Sequence, residues 1–279
     1  MESWEKCLLP LLPGELAGEL RERGMEGAEE LRIRVGRPAH VLGAKPYILR
    51  WTPDPAGCQQ VLLGLCRQSI YAYTSEMAQC FMTLPGGFRV GLAGRVAGNG
   101  EEQRLVAPMG FNIRLAREIP GCADRLMPYL LEEGILRSAL LISPPGAGKT
   151  TLLRDAARQL SQAGIKVCIA DERREIAGCD GTAPTLDIGP CTDVVEGCPK
   201  ALGLRMLLRG MSPQIMVTDE IAGAEDAAAV LDAASCGVPM PVSYTHLDVY
   251  KRQPLCLGDW QAPEAAIVWA TRSFPHYSV

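Results

Sequence analysis

The chain has 279 residues, 47% of them hydrophobic and 22% charged, with a formal net charge of −4. That length can bury a sizeable core and suits two domains, while the acidic balance speaks against holding nucleic acid by bulk positive charge. The longest apolar runs, LLPLLP near the start and ALLI in the middle, fall far short of the ~20 residues that a membrane span needs. No charged-then-apolar leader opens the chain, so secretion is not expected. Eleven cysteines, an odd number without a C-x-x-C pair, fit reduced thiols in a bacterial-type cytosol. Cys179, Cys191 and Cys198 match no zinc-ligand spacing.

The predicted elements begin with a helix over residues 13–23. LRIRV alternates apolar residues with arginine, the pattern of a half-buried strand, and G-R-P then turns the chain into AHVLG as a hairpin. Residues 56–80 read as helical. In TLPGGFRVGLAGRV a Pro-Gly-Gly turn precedes a strand in which Phe88, Val90 and Leu92 alternate with Arg89 and Gly91. FNIRLAREIPG adds another strand, and residues 123–133 are expected to form a helical link. This first part, residues 1–122, is expected to be a small α+β domain, with residues 123–138 as linker.

Residues 139–238 have a different texture. ALLIS, KVCIA and QIMVT are short continuous apolar strands, and helices are expected after each. That alternation predicts a parallel sheet with helices on both faces. The fold class expected is α/β, a P-loop core with a parallel sheet, preceded by the α+β domain.

Between the strand ALLI and the helix that follows lies SPPGAGKTT, residues 143–151. A phosphate-binding loop reads G-x-x-x-x-G-K-[ST], and here Ser143 stands at the first glycine. Gly146 and Gly148 let the backbone turn tightly and present N–H groups to phosphate oxygens. The following helix adds the positive end of its dipole. Lys149 can reach the β- and γ-phosphates, and the Thr150 hydroxyl can ligate Mg²⁺. Pro144, Pro145, Ala147 and Thr151 complete the cradle.

QIMVTDE places Asp219 and Glu220 directly after a buried strand, at the carboxyl edge where ligands bind in parallel sheets. Asp219 would hold Mg²⁺ through water, and Glu220 would orient and polarise the attacking water. Phosphoryl transfer needs positioning and charge neutralisation more than covalent chemistry, so this short set suffices in kind. ADERREIAG puts Asp171, Glu172 and Glu175 after the strand KVCIA, at the same edge.

Taken together, EELRIRVGRP, TLPGGFRVGLAGRV, NIRLAREIPG, SPPGAGKTTLLRD, DERREIAG, EGCPKA and VTDEI resemble the stage III sporulation protein AA family, relatives of the type II and type IV secretion ATPases. The likeness spans about residues 31–238. In that family the loop resembles SPPG-x-GKTT, so Ser143 is an accepted first position. The resemblance implies a RecA-like ATPase core using ATP and Mg²⁺. It also implies that Glu172 and Glu175 assist around the γ-phosphate and that Arg209 senses or bridges nucleotide. Arg89, Arg95, Arg114 and Arg117 lie in motifs similar to those that face a neighbouring subunit's nucleotide in such rings. A cytoplasmic, membrane-peripheral homo-oligomer is implied, plausibly a hexamer, with membrane-embedded sporulation proteins as partners and no nucleic acid. A nucleotide-binding scaffold with little turnover and a nucleic-acid motor are the alternatives; the absent basic stripe counts against the motor.

After AASCGV the family pattern stops. Pro239 and Pro241 are poor residues for a central strand, and SYTHLDVYKRQ resembles a translated adapter-type junction. Residues 239–279 are therefore expected to be foreign, His246 is not aligned with the family histidine, and the sheet is expected to stand incomplete beside the P-loop strand.

Overall fold

The structure is a computed structural model that describes residues 3–67, 69, 73–98, 104–116, 118–143, 146–244 and 266–269. The chain divides into two compact units, Met1–Arg117 with Gly178–Leu186, and Glu118–Ala177 with Asp187–Val279. The boundary expected at residue 122 thus falls at 117/118, and a segment from the later half is built into the first unit.

In the first unit, α1 (Ser3–Cys7) and α2 (Gly14–Arg23) precede an antiparallel hairpin of β1 (Ala28–Arg34) and β2 (Arg37–Gly43), extended by β3 (Tyr47–Ile48). Helix α3 (Pro55–Leu65) starts where its sequence dictates: the Asp54 carboxylate accepts the Gly57 N–H at 2.6 Å, and Pro55 occupies the first turn. It ends sooner than expected. The chain leaves the helix at Cys66 and Arg67, the latter with φ +49°, and α4 (Thr74–Ala78) is the next helix among the described residues. Strands β4 (Phe81–Leu84), β5 (Phe88–Ala97) and β6 (Arg104–Arg114) complete a six-stranded sheet in the order β3-β2-β1-β6-β5-β4. Alternation sends Leu31, Ile33, Met82, Phe88, Val90 and Ile113 into one core with Leu16, Leu20, Val61 and Leu65 of the helices.

The second unit departs from the expected helical link. Only Met127–Leu130 is helical (α5), with Pro128 in its first turn. A hairpin of β7 (Leu131–Glu132) and β8 (Ile135–Leu136) follows. Glu133 and Gly134, at φ +51° and +83°, form its two-residue turn, the geometry that joins tightly paired strands. Acidic and apolar residues at helix-like spacing disguise a turn that the glycine permits.

Strands β9 (Ala139–Ile142), β10 (Val167–Asp171), β11 (Thr192–Glu196), β12 (Ile215–Glu220), β13 (Pro241–Tyr244) and β14 (Ala266–Trp269) form a parallel sheet in the order β11-β10-β12-β13-β9-β14. Helices α7 (Lys200–Gly210) and α8 (Ala224–Ser235) pack on one face against Cys168, Ala170, Met216 and Val242. Helix α6 (Lys149–Gln162) buries Leu153, Ala156, Ala157 and Leu160 and lies over β12 and β13. Alternation along the strands turns Ile169 and Val217 away from the α7/α8 cluster.

The slot beside the P-loop strand, expected to stand empty, is filled. β13 pairs with β12 on one side and β9 on the other, Val242 opposite both Thr218 and Leu140. Its prolines are tolerated because each sits where its missing N–H is not called on. Pro239 offers only its carbonyl, to the Met216 N–H at 3.0 Å, and Pro241 is the first residue of the strand. Between them, the Met240 N–H donates to Ser138 Oγ at 3.0 Å and its carbonyl accepts from Ala139 at 3.2 Å. His246 lies outside the described residues. Among the described residues no helix is long and apolar enough to cross a membrane.

Candidate functional site

Three segments end at the carboxyl edge of the parallel sheet: the loop after β9, the loop after β10, and the end of β12. In the first, Gly146 and Gly148 have φ +74° and +83°, and Gly148 is the residue from which α6 starts at Lys149. A side chain at either glycine would find open space but a strained backbone. The first N–H groups of α6 have no acceptor within the helix, and its dipole points its positive end at the loop. Lys149 Nζ donates to the Ser143 carbonyl at 2.7 Å, closing the loop across its mouth. Burial pushes the Lys149 ammonium below its usual range, and the nearby Glu220 carboxylate opposes that shift. Ser143 is buried, and among the described residues its Oγ has no hydrogen-bond partner. An orphaned hydroxyl of this kind fits a phosphate oxygen, as do the loop glycines and the lysine; the donor set suits a nucleotide polyphosphate. Thr150 and Thr151 are half-buried in the first turn of α6, and Ala147 is half-buried in the loop. Pro144 and Pro145 lie outside the described residues.

At the end of β12, Asp219 is 3% exposed and Glu220 is half-buried. Both are already engaged. Lys200, the first residue of α7, is itself 2% exposed and places Nζ 2.9 Å from Asp219 Oδ1. The same ammonium donates to the Glu220 carbonyl and lies 3.7 Å from Glu172 Oε2. Arg173 Nη1 meets Glu220 Oε2 at 3.3 Å. Asp219, Glu220 and Glu172 are thus brought together, as their sequence positions lead one to expect, but by a lysine and an arginine to which the sequence assigns no role. One signal for Lys200 is present there: a cation at the first position of a helix opposes the dipole and calls for a local anion.

The loop after β10 is held by two buried charges. Asp171, fully buried, accepts the N–H groups of Glu175 at 2.9 Å, Ile176 at 3.0 Å and Ala177 at 2.8 Å. Burial outweighs those bonds and pushes its carboxyl up to about 6, with Asp219 adding to the rise. From α6, Arg154 donates Nε to the Ile176 carbonyl at 2.6 Å and Nη2 to the Glu175 carbonyl. Desolvation lowers the Arg154 pKa, and Glu118, Asp171 and Glu175 oppose that. Glu175 therefore sits beside Arg154 at this bracket, while Glu172 points its charge at Lys200.

Arg209 is not brought to the site. It is exposed in the last turn of α7, about 13 Å along the helix axis from Lys200 at 1.5 Å per residue. In the first unit, Arg89 lies over the Phe81 ring at 5.3 Å and pairs across the strands with Arg114, which lies 3.8 Å from Glu30. Arg95 is exposed on β5, and Arg117 lies outside the described residues.

A strand–glycine loop–helix segment thus shares its sheet edge with an acidic pair on the next-but-one strand. The family profile described as sporulation stage III, protein AA, matches residues 15–258. The chain belongs to this family. Stage III sporulation protein AA of Bacillus subtilis (strain 168) is 38% identical over 281 residues, covering 97% of this chain and 88% of the relative. An uncharacterized ycf45 protein of Porphyra purpurea is 34% identical over 135 residues, 47% of this chain and 23% of its own length. Among solved structures, the Legionella pneumophila ATPase DotB superposes with a TM-score of 0.56 at 16% identity, over 84% of this chain and 66% of that one. The pilus retraction motor PilT with bound ADP gives 0.56 at 17%, over 82% and 66%. This member of the sporulation stage III, protein AA family therefore shares the α/β fold of DotB and PilT, with a parallel sheet that follows an antiparallel N-terminal one.

Proposed function

We propose that this chain binds ATP with Mg²⁺ at the 143–151 loop and hydrolyses it, as the energy-supplying subunit of a secretion-like complex in endospore formation. The observation that carries the reading is the Lys149 ammonium, held 2.7 Å from the Ser143 carbonyl over a positive-φ glycine loop at the N-terminus of α6. Loop N–H groups and Lys149 bind the phosphates, and the Ser143 hydroxyl gains a partner there. Thr150 and Asp219 hold the metal, which when bound supplies charge neutralisation on the phosphates. Glu220, released from Arg173, orients the attacking water, and Asp171 with Arg154 keeps the Glu172–Glu175 loop in place beside it. The family and the fold support work as a homo-oligomer, a hexamer, on the cytoplasmic side of a membrane through membrane-embedded partners. Arg89, Arg95, Arg114 and Arg117 are the candidates for a charge supplied from a neighbouring copy.

A second reading is a nucleotide-binding scaffold with little turnover. It draws on the engagement of Asp219 by Lys200 and of Glu220 by Arg173. Two substitutions separate the readings. Lys149→Ala should abolish nucleotide binding, whereas Glu220→Gln should keep binding and lose turnover about a hundredfold or more, the share of a general base. Equal loss of ATP affinity in both variants would sink the division of roles, and a wild type that binds but does not turn over would favour the scaffold.

A further inference from the structure

We propose that Lys200 is a resident counter-cation for Asp219, a positioning residue that sets how far the site depends on divalent metal; this rests on the reading of the loop as a magnesium–nucleotide site. An ammonium has three donors, and three oxygens surround this one: Asp219 Oδ1 at 2.9 Å, the Glu220 carbonyl, and Glu172 Oε2 at 3.7 Å. They come from the end of β12 and the loop after β10, so one buried cation from a third element ties the two acidic segments together. Helix α7 gains nothing from it, since a lysine in its first turn faces the positive end of the dipole. The two carboxylates and the Glu220 carbonyl account for a lysine buried to 2% exposure.

The consequence is specific. Asp219 is neutralised before any metal arrives, so the carboxylate is held in place without one. A divalent cation approaching Asp219 alone meets an ammonium within hydrogen-bond distance and binds weakly. Phosphate oxygens from a nucleotide supply the extra negative charge that brings metal in, which couples metal entry to nucleotide entry. Without Lys200, Asp219 becomes a buried carboxylate lacking its cation, destabilising in chelator and attractive to Mg²⁺ by itself.

The test uses thermal unfolding of the whole chain, wild type, K200M and K200R, in EDTA and in MgCl₂ without nucleotide, with binding of a fluorescent ATP analogue measured separately. K200M should melt below wild type in EDTA, and Mg²⁺ should restore it with a half-saturation at least about tenfold lower than for wild type. K200R, which keeps the charge, should respond to Mg²⁺ as wild type does. An equal Mg²⁺ response in K200M and wild type overturns the proposal. Should K200M fail to fold in both conditions, D219N decides: it leaves the ammonium unpaired, and the K200M/D219N double variant must regain stability over D219N. No regain overturns the proposal too. A wild type that binds no ATP analogue in any condition refutes the nucleotide reading instead, and leaves the melting comparison to judge Lys200.

Discussion

Replacing Gly178 with alanine tests why DERREIAG and TLPGG carry the glycines they do. Gly178 begins the segment Gly178–Leu186 that belongs to the first unit, and its carbonyl accepts the Gly86 N–H at 3.0 Å and the Thr185 hydroxyl. Its φ is +58°, and a Cβ there would stand 2.7 Å from Gly87 N and 3.0 Å from both Gly86 C and Leu186 Cδ1. Two costs add: left-handed backbone for a residue with a Cβ, about 1–2 kcal/mol, and overpacking against backbone that cannot rotate away, about 1–3 kcal/mol. Part is offset because alanine restricts the unfolded chain, by about 0.4–1 kcal/mol. The net expectation is roughly 2–4 kcal/mol, a large fraction of a domain's usual 5–15 kcal/mol. Gly181→Ala is the internal control. Its φ is +93°, but nothing lies within 4 Å of the added Cβ, so the conformational cost of about 1–2 kcal/mol applies without overpacking and with the same unfolded-chain offset. Urea unfolding of both variants, analysed with a common slope, gives the comparison. Equal losses in the two variants, or a Gly178→Ala protein within about 0.5 kcal/mol of wild type, the range of ordinary surface changes, would refute the close-approach argument.

Asp171, pushed up to about 6 from 3.8, holds a proton in the folded chain over a pH range where the unfolded chain has lost it. Its stabilising contribution is therefore fully present below pH 4 and disappears as pH rises through 6, by up to about 3 kcal/mol. The stability of wild type relative to Asp171→Asn should fall across that window, and a difference that is flat with pH would end the idea. Arg154→Met takes the donors from the Glu175 and Ile176 carbonyls, at a cost of about 2–4 kcal/mol, and amide exchange should quicken at residues 175–177; unchanged protection there would contradict the bracket. A chain ending at Val238 loses β13 and uncovers backbone groups along β12 and β9, each costing about 1–3 kcal/mol if left buried and unpaired. It should be insoluble or unfold without cooperativity, and a soluble, cooperatively melting product would show that β13 is dispensable.

The loop, its lysine, the strand before it and the acidic pair after QIMVT were legible because each depends on neighbours within a few residues. A phosphate cradle is built from consecutive backbone N–H groups, so its chemistry is written contiguously, and the α/β alternation follows from apolar runs of strand length. The Glu133–Gly134 turn and the break at Arg67 are also local, but helix-like spacing of the apolar residues around them masks both. What sequence could not rank is everything decided between distant segments. Lys200 shows in the sequence only as a cation at the unfavourable end of a helix, and its partner Asp219, nineteen positions along the chain, is set beside it by β12. Arg209 reads as a site residue until the length of α7 carries it to the other end. Pro239 and Pro241 forbid a strand by propensity, yet β13 forms because the ladder asks for their carbonyls or leaves their nitrogens at its end. Local preference is worth about 1 kcal/mol in a strand, whereas a central slot between two parallel neighbours returns several hydrogen bonds and the burial of Val242. Tertiary contacts outweigh local preference in that balance, and so they decided the strand order and the partners of Lys200 and Arg154.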